Sequence, residues 1–173
     1  RAGRVFNRPD WVAFAQNAVD FVRDHLWVNH QLLATCKDGK AHLNAYLDDY
    51  AFLLDALIEL LQADYRSADM QFAEEIAEAM IENFEAEDGG FYFTAHRHEA
   101  LIHRSKQAYD NATPNGNGIA AVALQRLGHL LGEPRYLQTA ERTLQAFDSV
   151  VKRNPASFVF FFQAEDGIRD NPA

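Results

Sequence analysis

The sequence has little cysteine and no long apolar run, and each shortage excludes a class of protein. Cys36 is the only cysteine, so the chain holds no internal disulfide and no Cys-x-x-Cys redox pair. Hydrophobic residues make up 48% of the chain. They never form the run of about 18 residues that a membrane span needs. The single cysteine is compatible with a reducing compartment, and we expect a soluble, cytoplasmic protein.

Basic residues are also scarce. The formal net charge is −9, with 25 acidic and 16 basic side chains. No stripe of lysine and arginine is interleaved with aromatic residues, which is the pattern expected of a surface that binds nucleic acid or anionic lipid. We therefore expect neither nucleic acid nor membrane as a partner.

Amphipathic helices account for most of the apolar residues. An ungapped internal repeat predicts helices at residues 11–26, 69–84 and 136–151, each with apolar side chains at three- and four-residue spacing. Before the second and third copies, more apolar helices are predicted at residues 47–63 and 117–131. The unit is thus a helix pair of about 60 residues, longer than the common short helical repeats.

An α/α toroid needs this alternation, because an inner helix touches neighbours on nearly all sides while an outer helix wets half of its surface. Gly132 and Pro134 fit the boundary between two such helices, with glycine after one and proline in the first turn of the next.

Residues 106–132 are the most informative stretch, because a lysine, a tyrosine, an aspartate and three asparagines precede an apolar helix. The Asn-Gly-Asn-Gly segment at 115–118 is expected to supply two glycines with positive φ and side-chain caps for the first helical amides. Pro114 cannot lie inside the helix, so residues 106–113 approach it as a loop, and their polar groups converge on a helix N-terminus. The same residues also suit a well-capped helix with a polar connector.

A family resemblance follows from this turn. Residues 106–118 read Lys-Gln-Ala-Tyr-Asp-Asn-Ala-Thr-Pro-Asn-Gly-Asn-Gly. They resemble the Lys-(Glu/Asp)-x-x-Asp-Gly-Ala-x-Pro-Ser-Gly-Asn-Ser signature of thioredoxin-domain proteins of the spermatogenesis-associated type. Residues 45–52, 88–94 and 100–102 agree with the same family. The sequence departs from the signature at Gln107, Asn111, Asn115 and Gly118, which puts in doubt any role that needs a carboxylate or hydroxyl there.

The resemblance implies the all-helical, C-terminal part of such proteins. We therefore expect an all-α fold at residues 1–157, a partial (α/α)6 toroid with about five helices of the ring. This architecture is similar to that of N-acylglucosamine 2-epimerases and six-hairpin glycosidases. A short β-hairpin is predicted near residues 90–104. The family's thioredoxin-like domain would lie upstream of Arg1, so we expect a fragment of a longer protein.

Residues 158–173 are expected to be a non-native tail. The run 158–170 resembles translated sequencing-adaptor read-through, and Val-Phe-Phe-Phe ahead of Gln-Ala-Glu-Asp-Gly shows no helical stripe. The alternative is a real apolar strand followed by a turn. We expect residues 158–162 to be an exposed aromatic run.

A second polar cluster, Asp48-Asp49-Tyr50, lies at the start of the predicted helix 47–63. Helical spacing puts Asp49 on the apolar stripe, and a carboxylate on a buried face must be paired or functional. Alternatively, Asp48 or Asp49 caps the helix and accepts its first amides. In a toroid like that of the family, this helix start and the loop before Asn117 both face the central cavity, which favours a shared site.

If the site belongs to an enzyme, its residue types suit carbohydrate chemistry. Asp49 and Asp110 are the candidate catalytic acid/base pair. The candidate substrate-binding residues are Asp48, Tyr50, Lys106, Tyr109, Asn111, Asn115 and Asn117, with Tyr46 and Phe91 as further stacking walls. The activity would be glycoside hydrolase-like or sugar epimerase-like on a carbohydrate-like small molecule, and we expect no cofactor.

The rival hypothesis is a noncatalytic module that binds the upstream thioredoxin-like domain or its client, because one fold hosts many chemistries. Asp49 and Asp110 within about 10 Å of each other across an open pocket would favour glycoside chemistry. If both carboxylates instead cap helices, the noncatalytic module would be favoured.

Three histidines, His96, His98 and His103, alternate along the predicted hairpin. His96 and His98 would share one strand face, as a metal site requires. No fourth ligand is evident and the cysteine is distant, so we predict no metal site.

Overall fold

The structure is a computed structural model that describes residues 1–96, 104–107, 109–153 and 158–170. Its elements follow in the order α1 (Ala2–Val5), α2 (Pro9–His25), β1 (Trp27–Val28), β2 (Gln31–Lys37), β3 (Lys40–Asn44), α3 (Leu47–Ala63), α4 (Ser67–Phe84), α5 (Gly116–Leu131), α6 (Pro134–Arg153) and α7 (Val159–Asp170).

The two apolar helices α3 and α5 lie side by side at the centre of the molecule. α5 is buried over most of its length, with Asn117 and Gln125 among its 11 buried residues of 16, and α3 buries eight of its 17 residues. The outer helix α4 packs on α3, and the outer helix α6 packs on α5. The predicted alternation of inner and outer helices is confirmed, and it is the arrangement of an α/α toroid.

The outer helices bury only one stripe. On α4 the buried stripe includes Phe72, Ile76, Met80 and Phe84, at the predicted three- and four-residue spacing. Gly132 ends α5 in a left-handed conformation with φ 67°, and Pro134 begins α6, as predicted.

Charged residues join α2 to α4. Asp69 is fully buried, and its carboxylate lies 2.7 Å from Arg66 and 3.5 Å from Arg23. Arg66 also bonds Asp20 of α2 at 3.0 Å and holds the pKa of that carboxyl below its usual range. A buried carboxylate must be paired in this way, because an unpaired charge is costly to bury.

A three-stranded antiparallel sheet, β1-β2-β3, precedes α3 and was not predicted. Its two tight turns have positive φ at both central residues, Asn29 and His30 in one, Asp38 and Gly39 in the other. Asp-Gly is a strong signal for this turn type, because both residues tolerate the left-handed region. The signal lies at residues 38–39, but the short strands beside it lack the clean alternation that would have identified them.

The predicted hairpin near residues 90–104 is described only in part, since residues 97–103 lie outside the described residues. Glu85 and Phe91 form an isolated antiparallel bridge. Beyond it, the amide of Phe93 donates to the carbonyl of Ser105 at 2.9 Å. Two chain segments therefore run alongside each other here, and the full hairpin stays a prediction.

Residues 159–170 form α7, which packs against α5 and α6. The expectation of no helical stripe is wrong, because Phe158, Phe161 and Ala164 recur at three-residue spacing and are all buried. The expected exposed aromatic run is wrong for the same reason, since only Val159 and Phe162 of that run are exposed. The assignment of residues 158–173 as a non-native tail stays a prediction.

Candidate functional site

The starts of the two inner helices meet at one place. A Cβ atom built on Gly116, the first residue of α5, would lie 2.2 Å from Oδ1 of Asp48, the second residue of α3. The predicted neighbourhood of Asp48 and the turn at 115–118 is therefore real. Gly116 and Gly118 are helical and do not have positive φ, contrary to expectation. They are glycines in a crowded junction, where a side chain would meet Asp48 at one position and Phe160 at the other.

Asp49 stabilises the start of α3. Its Oδ2 accepts the amide proton of Tyr46 at 2.8 Å, which is one half of a capping box. The side chain is exposed and does not lie in the apolar core. It lines a cavity of about 220 Å³ between α2, β2 and α3, whose lining includes no residue of 104–118.

Asp48 is the half-buried carboxylate of the pair. Burial raises the pKa of Asp48, and the neighbouring Asp49 carboxylate adds to the rise. The backbone amide of Gly116 opposes it by favouring the ionised form. The expectation that Asp49 lies on the buried stripe is therefore wrong by one position, because a helix turns by about 100° per residue.

The predicted stacking walls divide into exposed and buried aromatics. Tyr46 is 42% exposed and stacks on Phe93, with ring centroids 4.7 Å apart and an interplanar angle of 11°. Tyr50 is only 2% exposed, and its hydroxyl accepts the amide proton of Leu32 at 2.8 Å. Phe91 is fully buried. Tyr50 and Phe91 are core residues, so neither offers a ring face to a ligand as predicted.

Asp110 organises the turn before α5. Its Oδ1 accepts from the backbone amide of Asn115 at 2.9 Å and from the side-chain amide at 2.8 Å. Its Oδ2 accepts from the amide of Val159 at 3.0 Å. Asn115 in turn caps α5, because its side-chain oxygen accepts the amide proton of Gly118 at 2.9 Å.

Asn117 lies inside α5 and is fully buried. Its Oδ1 accepts from the amide of Phe91 at 2.6 Å, and its Nδ2 donates to the carbonyls of Phe91 at 3.0 Å and Gln107 at 2.9 Å. The side-chain amide of Asn117 thus forms with the Phe91 backbone the pair of hydrogen bonds that a neighbouring β-strand would form. Of the side-chain caps expected from residues 115–118, Asn115 supplies the one observed, and Asn117 is too buried to meet a sugar hydroxyl.

The remaining predicted residues lie on the outer part of the turn. Lys106 donates to Asp88 at 2.6 Å and to the carbonyl of Gly89 at 3.1 Å. Tyr109 is exposed, with its ring 5.0 Å from that of Phe158. Asn111 is exposed, and its amide donates to Thr113 at 3.0 Å. Of these three, Tyr109 and Asn111 are exposed to a ligand, while the Lys106 side chain is only 20% exposed.

Arg104 is a residue that the sequence analysis missed. Its guanidinium bonds the carbonyl of Thr94 and Nδ1 of His96, and it lies 4.1 Å from the centroid of the Tyr92 ring. The position of Arg104 two residues before Lys106 was the only available signal. Its contacts depend on the tertiary fold of this segment, and the spacing of residues in the sequence does not reveal that fold.

Within the described residues, no group of three His, Cys, Asp or Glu side chains is placed to hold a metal ion. His98 and His103 lie outside those residues, while His96 is held by Arg104 at 2.8 Å. No helix in the described part of the chain is both long and apolar enough to cross a membrane.

Comparison with known proteins agrees with the sequence motifs. Spermatogenesis-associated protein 20 from Homo sapiens is 27% identical over 167 residues, which cover 90% of this chain and 21% of that protein. The rat protein of the same name is 27% identical over 168 residues. This chain is similar to Spermatogenesis-associated protein 20. The predicted resemblance is confirmed, and the chain spans about a fifth of the length of that protein, 21%. No protein-family model matches the chain.

A solved structure shares the fold. It is the unsaturated glucuronyl hydrolase from Bacillus sp. GL1, described as responsible for the degradation of glycosaminoglycan. The TM-score is 0.60 at 15% sequence identity, over 84% of this chain and 42% of the hydrolase. At that identity the likeness shows the fold alone. It confirms an α/α-toroid fold for the segment similar to Spermatogenesis-associated protein 20.

Proposed function

We propose that this chain is part of a noncatalytic toroid module that binds a protein partner. The proposal rests on one observation. Both predicted catalytic carboxylates accept hydrogen bonds from backbone amides at the starts of helices. Asp49 accepts from the amide of Tyr46, and both oxygens of Asp110 accept amide protons. A general acid or base needs a carboxylate oxygen that reaches the substrate. Asp110 would have to break its hydrogen bonds to these amides to provide one.

The proposed partner is the thioredoxin-like domain that the family resemblance implies upstream. Large apolar side chains are exposed on α1 and α2: Val5, Phe6, Trp11, Phe14 and Phe21. A cluster of exposed apolar side chains on one side of a protein is typical of an interaction surface. These helices are also the part of the chain nearest in sequence to that domain.

Binding between the separately purified thioredoxin-like domain and the full chain tests the proposal by isothermal titration calorimetry. We expect a saturable complex that a Phe14→Ser/Phe21→Ser variant weakens about tenfold or more, because central apolar residues dominate interfaces. Tyr65→Ser, at an exposed aromatic on α3's C-terminal side, is the matched control and should bind normally. An absence of binding would reject the partner. Glycoside or monosaccharide turnover by the longer protein that is lost in Asp110→Asn would reject the noncatalytic role.

A second candidate function is carbohydrate binding or processing, and Asp48 is the observation that favours it. The half-buried carboxylate with its raised pKa lies two residues from the exposed Tyr46 ring. Small-molecule sites combine apolar and aromatic side chains with a few polar groups. The fold likeness to a hydrolase that degrades glycosaminoglycan supports the same class of ligand.

A panel of monosaccharides and glycans, titrated into the longer protein that contains this chain, tests the second candidate. Asp48→Asn and Tyr46→Ala should each abolish binding of any sugar that binds the unmodified protein. Asp148→Asn, at an exposed aspartate of α6, is the matched control. Sugar binding that survives both site variants would reject this site.

A further inference from the structure

Two cations share one aromatic ring beside the start of α5. The guanidinium carbon of Arg104 lies 4.1 Å from the centroid of Tyr92, and Nζ of Lys106 lies 5.7 Å from it. Neither cation takes part in the capping of α3 or α5. The cluster of Tyr92, Arg104 and Lys106 therefore needs an explanation of its own.

The backbone brings these side chains to one face. Phe93 donates its amide to Ser105 at 2.9 Å, so the two segments run side by side. Side chains alternate between the faces of such a pair, which puts Tyr92 and Thr94 together with Arg104 and Lys106. Phe93 belongs to the other face, where it stacks on Tyr46.

Arg104 bonds only neutral acceptors within the described residues. Nε donates to the carbonyl of Thr94 at 3.0 Å, Nη1 to Nδ1 of His96 at 2.8 Å, and Nη2 to the carbonyl of Asn83 at 3.4 Å. Burial lowers the pKa of the Arg104 guanidinium, and no carboxylate contributes to that shift. A half-buried cation is normally paired with a carboxylate, because desolvation otherwise destabilises it.

The positive charge of Lys106 is only weakly compensated by its carboxylate partner. Its partner Asp88 has a side chain that is 74% exposed, and exposed pairs of this kind contribute little. Within the described residues, Lys106 pairs with one exposed carboxylate and Arg104 with none, in a chain whose net charge is −9. On the same face, the hydroxyl oxygen of Thr94 is buried and has no hydrogen-bond partner. Buried polar groups are rarely left unpaired.

We propose that Thr94, Arg104 and Lys106 form a binding site for the oxyanion group of a small molecule. Arg104 supplies positive charge that no carboxylate among the described residues pairs with, Lys106 exchanges Asp88 for the ligand, and Thr94 donates its hydroxyl proton. Charge-assisted hydrogen bonds of this type are about twice as strong as neutral ones. A carboxylate and a phosphate share this chemistry. The site is separate from the partner surface on α1 and α2, so it can fail without affecting that proposal.

Calorimetric titrations of the full chain with inorganic phosphate and with gluconate, at matched chloride ionic strength, test the site. We expect saturable binding of at least one anion. Lys106→Gln and Thr94→Val should each weaken it, the former about tenfold or more, because the lysine bond is charge-assisted. Lys152→Gln, at a lysine 75% exposed on α6, is the matched control and should bind normally. Arg104→Gln removes the charge, but it also removes three structural bonds, so the lysine and threonine variants decide the outcome.

Each result of the titrations has a defined meaning. Binding of phosphate alone assigns a phosphorylated ligand, and binding of gluconate alone assigns a carboxylate ligand. The proposal is overturned if neither anion binds saturably, or if Lys106→Gln binds as tightly as the unmodified chain.

Discussion

The polar side chains of the turn before α5 bond mainly to backbone groups. Asp110 holds Asn115, Asn115 caps α5, and Asn117 binds the backbone of Phe91 and Gln107. These bonds hold residues 89–91 and 106–115 against the first turn of α5. At this scale Asp110, Asn115 and Asn117 bond to backbone groups, so their loss should be measured first as stability.

Asn117→Ala should lower the free energy of unfolding by about 3 kcal/mol, because it leaves buried backbone groups of Phe91 and Gln107 unpaired. Asn115→Ala should cost about 1 kcal/mol, the usual value of an N-cap. Asn111→Ala, at an exposed position, should stay within about 0.5 kcal/mol. Urea denaturation measures all three. An Asn117→Ala cost no larger than that of Asn111→Ala would contradict the assigned contacts.

Glu59 should make stability depend on pH. Its carboxylate bonds Arg1 at 2.9 Å and Arg126 at 2.5 Å, and these cations lower the pKa of Glu59 from 4.5 to about 2. A lowered carboxyl pKa gives stability that is present above pH 4.5 and is lost as the pH falls towards 2. Because the Arg1 side chain is 70% exposed, we expect the ionised Glu59 to contribute about 1 to 2 kcal/mol to the free energy of unfolding.

Urea denaturation of Glu59→Gln from pH 7 down to pH 2 measures this contribution. The variant should be less stable at pH 7, and its deficit should shrink below pH 4.5, the ordinary pKa of the group. Asp148→Asn, which removes an exposed ion pair with Lys152, should change stability by less than about 0.5 kcal/mol. A deficit that is equal at pH 7 and pH 3 would show that Glu59 acts through packing alone.

At the scale of elements, the junction of α3 and α5 decides the geometry of the site. The two helices approach so closely at their starts that Gly116 lies against Asp48 and Leu47. The same closeness keeps water from one side of Asp48 and raises its pKa. A larger residue at Gly116 would have to separate the helix starts or displace the carboxylate.

Gly116→Ala should therefore destabilise the chain by about 2 kcal/mol or more, although alanine normally favours a helix by about 1 kcal/mol over glycine. The new Cβ would lie 2.2 Å from Oδ1 of Asp48 and 3.1 Å from Leu47. Asp48→Ala should recover part of the loss in a double-mutant cycle. Thermal unfolding provides the values. Additive costs in the double variant would contradict a direct clash.

Gly132→Ala is the matched control for that cycle. Gly132 has φ 67° and no neighbour within 4 Å of a built Cβ. Its replacement should cost about 1 kcal/mol from backbone strain alone, and Asp48→Ala should not alter that cost.

At the scale of the whole molecule, large apolar side chains are exposed at residues 5–21 and also elsewhere, as at Leu43, Tyr65 and Leu130. Phe14 is 74% exposed and Phe21 is 47% exposed on α2, and Val5 and Phe6 in the segment before it are 72% and 67% exposed. Phe158 and Phe161, which we expected to be exposed, are buried against α5 and α6. We propose that a partner covers the surface at the N-terminal helices.

The chain by itself should self-associate through α1 and α2 at micromolar concentration, because exposed aromatic side chains associate with one another. Phe14→Ser/Phe21→Ser should shift it towards the monomer in size-exclusion chromatography with light scattering. Tyr65→Ser, which removes a 63% exposed aromatic elsewhere, should leave the association unchanged. A monomer that unfolds cooperatively without any substitution would contradict this expectation.

The positions of the helices were predictable from the sequence, because helix formation depends on spacing over one or two turns. Residues 47–63 and 69–84 were predicted as helices, and the structure has α3 at Leu47–Ala63 and α4 at Ser67–Phe84. The motif at 106–118 also identified the turn that crosses the start of α5. The sheet at 27–44 escaped prediction, because its strands are half exposed and lack a clean alternation of buried and exposed residues.

The sequence by itself determined the alternation of inner and outer helices, the capped turn and the resemblance to Spermatogenesis-associated protein 20, since each is encoded in local patterns. Only the tertiary structure decided that Asp48 is the half-buried carboxylate, that Asn117 is buried, and that Arg104 lies over Tyr92. A side chain's role depends on which distant groups meet it. Asp49 is an exposed residue that caps α3, whereas Asp48, one helical position earlier, is a half-buried carboxylate.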